Sequence, residues 1–305
     1  MAKIVGVVMA VGVLMSGSVH AEPILFGQLR ADYGFVDDGS GRHYRFNEQG
    51  SRLGFKGSSF INQHYEFTYI AEAESDIAGN DEIFSEVRQA WIGIRSRSAA
   101  GGELRAGRHL SPARVSVVPV DIFVNQAADQ RKILESDTVL EKSVVYLNRI
   151  NEFAYAVALS TDSANEHTAT DFLINYNNET TYIAAAYLKG YDQQRVSRLA
   201  ATYLFPEGHK LGLAFEYLDN KGVGDSHKAF VVSAGYRLDE NKRVKLQYGM
   251  NKSSSGGQAE TLFGIGVDFD LSANTTLQFQ YSTNRHLDHA DEKETSVTVG
   301  VVYDF

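Results

Sequence analysis

The sequence predicts an all-β fold: a transmembrane antiparallel β-barrel of about 16 strands, with a long third loop folded into the lumen. Three observations predict it. Apolar and polar residues alternate at period two in runs of about ten. The runs are even in number, and the connections between them alternate between short and long.

At the N-terminus, Lys3 precedes the apolar run Ile4 to Met15, and Val19-His20-Ala21 places small or tolerated residues at a cleavage point. The run is too short to span, so residues 1–21 read as a secretory signal peptide and 22–305 as one mature domain. No later stretch approaches the ~18–20 uncharged apolar residues of a helical span. The 305 residues are 22% charged and 43% hydrophobic, with Tyr 16, Phe 17, Gly 27 and only Pro 4, a composition weighted toward strands and tight turns. Net charge is −9, and loss of Lys3 takes it to −10, which argues against nucleic acid as a partner. Cys 0 excludes disulfides, thiolate metal sites and cysteine catalysis.

The segments run at approximately 23–35, 45–57, 62–74, 84–95, 102–108, 138–148, 151–160, 169–177, 179–189, 195–205, 209–218, 227–238, 242–251, 259–270, 275–284 and 294–305. The last is the clearest: Val297, Val299, Val301, Tyr303 and Phe305 alternate with Ser296, Thr298, Gly300 and Asp304. Leu211, Leu213, Phe215 and Tyr217 alternate with Lys210, Gly212, Ala214 and Glu216; Val244, Leu246, Tyr248 and Met250 with Arg243, Lys245, Gln247 and Gly249. Such faces fit either a half-solvated soluble sheet or a wall with lipid outside and water inside. Length decides, because about 9–11 tilted residues cross a bilayer whereas soluble strands cluster near 5–6. Tyr and Phe near many segment ends fit interfacial girdles.

Asn177-Asn178, Pro206-Glu207-Gly208, Asp239-Glu240-Asn241 and Ser272-Ala273-Asn274 are short turns. Longer polar connections at 161–168, 219–226, 252–258 and 285–293 lie between them, as outer loops alternate with periplasmic turns. Both termini are then periplasmic. One connection, Arg108 to Asp137, is about thirty residues long; so long a loop in a compact domain is normally functional, and the lumen is its natural place.

Over nearly all its mature length the chain resembles the Gram-negative general-diffusion porins. The resemblance rests on Phe26-Gly27-Gln28-Leu29-Arg30, Ser51-Arg52-Leu53-Gly54-Phe55-Lys56-Gly57, Arg88-Gln89-Ala90-Trp91-Ile92-Gly93, Ala106-Gly107-Arg108 and the terminal Tyr303-Asp304-Phe305. It implies a homotrimer of barrels in the cell outer membrane, each passing small hydrophilic solutes past an in-folded third loop. It also implies contact with outer-membrane lipid and lipopolysaccharide, and a terminal Phe305 read as the assembly signal by the barrel-assembly machinery. Acids on the loop are expected to face basic residues on the wall. The wall candidates are Arg30, Arg52, Arg88, Arg105 and Arg108; the loop candidates are Asp121, Asp129, Glu135 and Asp137. The Pro-Glu-Phe-Gly-Gly loop of enterobacterial members is replaced by Ser116-Val117-Val118-Pro119-Val120-Asp121-Ile122-Phe123.

Opposed charges across a constriction would orient water and dipolar solutes by a transverse field. The bland reading of the same arginines is that they solvate the lumen or pair with Asp32, Glu86 and Glu103. The long loop is formally neutral, Arg108, Arg114, Arg131 and Lys132 offsetting its four acids. Much of the negative charge lies in outer loops, at Asp37, Asp38, Asp76, Asp81, Glu82, Asp288, Asp291 and Glu292. Weak cation preference is the resulting expectation. Those carboxylates also suit Ca²⁺ or Mg²⁺ bridging to lipopolysaccharide; no other cofactor and no catalytic residue is expected. His286 and His289 with Asp288 and Asp291 read better as a solvated loop than as a metal site.

Three rivals stand beside this reading. A substrate-specific channel for phosphate, dicarboxylate or sugar would use the same barrel with a solute-sized site. A phospholipase-like enzyme is more remote, since no G-x-S-x-G elbow occurs. A plugged structural barrel fits poorly, because sixteen strands leave an aqueous channel.

Overall fold

The computed structural model describes residues 23–305 apart from 48–49, 80–83, 99–100, 135–137, 163–166, 191–193, 223, 257–258 and 286–292. Residues 1–21, expected to form a signal peptide, and Glu135, Asp137 and the His286–Asp291 cluster lie outside the described residues.

Among the described residues a single 17-stranded antiparallel sheet closes on itself. Its segments are β1 (Ile24–Asp37), β2 (Arg42–Asn47), β3 (Arg52–Phe60), β4 (Tyr65–Ser75), β5 (Phe84–Ser96), β6 (Glu103–Leu110), β7 (Val139–Ile150), β8 (Phe153–Asp162) and β9 (His167–Asn177). β10 (Thr181–Lys189), β11 (Gln194–Leu204), β12 (Lys210–Asn220), β13 (Asp225–Arg237), β14 (Lys242–Ser253), β15 (Glu260–Asp270), β16 (Thr275–Arg285) and β17 (Lys293–Asp304) complete it. β1 pairs with both β2 and β3, so these two form one interrupted stave and the barrel has 16 staves. β17 pairs with β1 from Gln28↔Asp304 to Asp37↔Thr295 and closes the wall. Phe305 extends that seam, its backbone exchanging two hydrogen bonds with Gly27 at 2.9 and 3.1 Å.

Where one continuous second strand is expected, the chain breaks. Gly50 takes φ 94°, a left-handed conformation that glycine adopts at no steric cost. Ser51 then mends the ladder with its side chain: its hydroxyl accepts from Arg30 N at 2.9 Å and donates to Arg30 O at 3.1 Å. The longer outer connections also contract. Asp162 pairs with His167, Asn220 with Asp225 and Arg285 with Lys293, because extending the ladder satisfies backbone groups that a loop would leave to water.

Period-two alternation sends Leu211, Leu213 and Phe215 outward, where they are exposed, and Ala214 and Glu216 inward, where they are buried. The inner face is not polar throughout, however. Leu140, Leu173, Val196, Val231 and Leu262 point inward and form a water-excluded core with Val117, Val120, Phe123 and Ile133 of the long third loop. The loop is therefore held against the inner wall by burial as well as by hydrogen bonds.

Candidate pore constriction

The loop leaves β6 and starts as a short helix, α1 (Pro112–Val117), capped by Ser111, whose hydroxyl accepts from Arg114 N. Pro at the first helical position suits this start, since its missing N–H would be unpaired there. A 3-10 turn (Val118–Val120) follows. Both are fastened to the wall by buried polar side chains. Asp171 accepts from Ala113 N at 3.0 and 3.2 Å, Arg198 donates to Ala113 O at 2.9 Å, and Tyr182 donates to Ser116 O at 2.9 Å. Arg198 is itself paired with Glu216 at 2.6 Å, both side chains only 2% exposed.

Farther along, Ser233 donates to Val120 O at 2.6 Å and Gln247 to Ala128 O at 2.7 Å. Asn284 donates to Ala127 O at 3.1 Å, and Lys132 reaches Glu294 at 3.3 Å. The loop thus follows the inner wall from β9 round to β17 and β1. Glycines on that wall let it seat: a Cβ at Gly264 would lie 2.3 Å from Ala128 Cβ, and one at Gly249 2.9 Å from Ile133 Cγ1.

The uncovered wall is that of β3 to β6, and it carries charge. Arg52 approaches Glu72 at 3.3 Å and donates to Gln28 at 3.2 Å. Arg88 meets Glu72 at 3.1 Å and Glu74 at 2.8 Å. A β-bulge positions it: Glu72 pairs with Gln89 and Ala73 with Val87, so Arg88 is the extra residue, and both it and Gln89 aim at Glu72. Arg105 pairs with Glu103 at 2.9 Å and lies 3.9 Å over the Trp91 ring. Glu103 also accepts from Thr68 at 2.7 Å and Arg95 at 3.0 Å.

The remaining sequence candidates are placed otherwise. Arg30 is buried and clamps the loop, donating to Val124 O at 2.6 Å and Gln278 at 2.5 Å, with Asp32 at 3.4 Å. Arg108 faces outward, a correction to the lumenal position expected of it. It pairs with Ala90, which pairs with Ala71, both exposed on the outer surface, and its guanidinium is flanked there by Glu86 and Glu141. Alternation along β6 puts Arg105 and His109 inward and Arg108 between them outward, and the irregularity beside Gly107, at φ 142°, places its extra residue on β7. The strand-neighbour pairs Arg30–Asp32, Arg105–Glu103 and Arg108–Glu86 are all present.

Among the loop acids, Asp129 is buried and structural. It accepts from Asn125 N at 2.6 Å and Arg131 N at 2.7 Å and pairs with the Arg131 guanidinium. Asp121 accepts from Phe123 N at 2.9 Å and turns toward Gln247 on the covered wall. Burial, reinforced by the nearby Asp129 carboxylate, pushes Asp121 up to about 8. The acids meeting Arg52, Arg88 and Arg105 are instead Glu72, Glu74 and Glu103 of the wall, of which the sequence reading named only Glu103, as a pairing neighbour. Their inward parity on β4 and β6 was the available clue. The anchors Asp171, Arg198 and Glu216 carried the same clue.

A family model described as Gram-negative porin matches residues 6–289. No curated protein matches the chain. Among solved structures, an anion-selective porin from Comamonas acidovorans superposes with TM-score 0.76 at 17% identity, covering 94% of this chain and 100% of that one. OmpT of Vibrio cholerae, described in trimer form, gives 0.70 at 14%, covering 93% and 99%. Salmonella typhi OmpF gives 0.70 at 15%, covering 93% and 98%. At these identities the likeness establishes the fold, including its closed wall.

Proposed function

The chain belongs to the Gram-negative porin family, and we propose that it works as a water-filled outer-membrane channel, passing small hydrophilic solutes and ions by passive diffusion between the loop and the charged wall. One observation carries this reading: Arg52, Arg105 and Glu74 point into the barrel yet keep 27%, 23% and 40% of their side-chain surface exposed. Charged groups exposed inside a closed wall require water there. In this reading the channel performs no bond chemistry.

Arg52, Arg88 and Arg105 are met by Glu72, Glu74 and Glu103 on their own side of the lumen. Positive and negative charge alternate along one wall rather than facing each other across the gap, so ion selectivity is small. Single-channel recording in a planar bilayer with symmetric KCl, then under a salt gradient, tests this. Ohmic steps with a reversal potential near zero are expected; folded protein without conductance would refute the channel.

A homotrimer is part of the proposal, and Arg108 suggests where its subunits meet. Ionisable groups on a lipid-facing wall cost ~2–4 kcal/mol near the bilayer midplane. Arg108, Glu86 and Glu141 gather on the outer surface beside the small side chains Ala71, Ala90 and Ala106, which suits cover by a neighbouring subunit better than cover by lipid. Recognition of Phe305 by the assembly machinery, and divalent ions bridging outer-loop carboxylates to lipopolysaccharide, complete the proposal.

A further inference from the structure

Beside the half-buried Arg114, the lumenal side of the loop carries an apolar patch. Ala113, Ser116, Val117 and Val120 are turned to the wall and buried, which leaves Val115 and Val118 facing away from it, 41% and 51% exposed. Val124 is 42% exposed at the place where its carbonyl is held by Arg30. These valines stand inside the barrel, so the surface they present is to water and to passing solute, not to lipid.

Their position across the gap follows from stave counting. The 3-10 turn bearing Val118 packs on β11, β12 and β13. In a closed wall of 16 staves, the diametrically opposite elements are the β2/β3 stave, β4 and β5. Those elements carry Arg52, Glu72, Glu74 and Arg88. A solute in transit therefore meets a strip of alternating cationic and anionic groups on one side and an aliphatic strip on the other.

We propose that this amphipathic constriction favours zwitterionic solutes bearing an apolar side chain, such as free amino acids of the leucine type, over equally sized zwitterions that are polar throughout. The solute carboxylate engages Arg52 or Arg88 and its ammonium Glu74, the more exposed of the two glutamates. The aliphatic group then covers Val118 and its neighbours, removing apolar surface on both partners from water. Neutral sugars gain neither contact. This inference rests on the channel reading and narrows it to a solute class.

The test is liposome swelling with the purified protein, using leucine, asparagine and arabinose at equal low osmolarity, after conductance has been verified in the same preparation. Wild type is expected to admit leucine roughly fourfold faster than asparagine, the ratio that covering about one methylene is worth. Val115→Thr/Val118→Thr keeps the shape of two exposed side chains and is expected to bring that ratio to about one while leaving arabinose unchanged. Glu74→Gln should slow both amino acids relative to arabinose. A conducting channel with no preference for leucine, or one whose preference survives the double substitution, overturns the inference and leaves the porin reading standing. Absence of conductance and of swelling with all three solutes overturns both.

Discussion

Removing Arg198 is the sharpest perturbation of the loop. Its side chain and that of Glu216 are each 2% exposed, and it donates both to Glu216 at 2.6 Å and to Ala113 O at 2.9 Å. Arg198→Ala leaves the Glu216 carboxylate buried without its cation, a loss of ~3–5 kcal/mol. It also removes a charge-assisted bond to the loop worth about 1.5–3 kcal/mol. Arg198→Met/Glu216→Met separates the two: it takes away the stranded charge but not the missing tether, so it should regain most of the first loss and none of the second. Unfolding in guanidinium chloride, followed by fluorescence of Trp91, the single tryptophan, measures stability. Open-channel current noise reports the freed loop. Arg198→Ala within about 1 kcal/mol of wild type, or a double variant as unstable as the single one, would refute the assignment of this pair as a desolvated anchor.

Asp121 gives a pH dependence. Asp129 of the loop, Lys210 of β12 and Lys245 and Gln247 of β14 surround it, and with its carboxyl raised to about 8 it is neutral at pH 6. Its contribution to stability is fully present below the ordinary carboxylate value and is lost as pH rises through about 8. Over the same window the lumen gains one negative charge, so reversal potentials should shift toward cations between pH 6 and 9, and Asp121→Asn should abolish the shift. Gly264→Ala should cost ~1–3 kcal/mol in the same guanidinium titration, because its Cβ would meet Ala128 Cβ at 2.3 Å; adding Ala128→Gly should restore stability. Arg108→Ala should lower the temperature at which the oligomer dissociates on a denaturing gel, with single-channel conductance unchanged; an unaltered dissociation temperature would place the subunit contact elsewhere.

The staves were legible because lipid on one side and water or loop on the other impose opposite demands on alternate residues, as in Leu211 to Tyr217. The interruption of the second stave was not, since it depends on the backbone sign at Gly50 and a hydroxyl of Ser51. Arg52 could be assigned inward by parity, but Arg88 shares the parity of the outward Ile92 and Ile94 and turns inward only through the bulge opposite Glu72 and Ala73, while Arg108 is outward by simple alternation from Arg105, a count the charge-based reading passed over. The loop acids were the weakest inference. Asp129 is taken up by capping Asn125 and Arg131, a local competition that charge counting does not reveal. The inner core was concealed because Gly212, Ala214, Gly249 and Gly264 alternate like a polar face while being merely small.

The reach of the loop bears on the order of assembly. The seam between β1 and β17 joins the first and last strands of the chain, so its pairing is what closes the wall. From inside, the loop grips both banks of that seam: Val124 holds Arg30 of β1, Gln126 holds Gln278 of β16, and Lys132 holds Glu294 of β17. A docked loop therefore acts as a brace that brings the two open edges into register before their backbones pair. It follows that Gln278→Ala should slow the final closing phase of refolding into vesicles while leaving the earlier gain of strand content at its normal rate, and equal closing rates would show that the seam finds its register unaided.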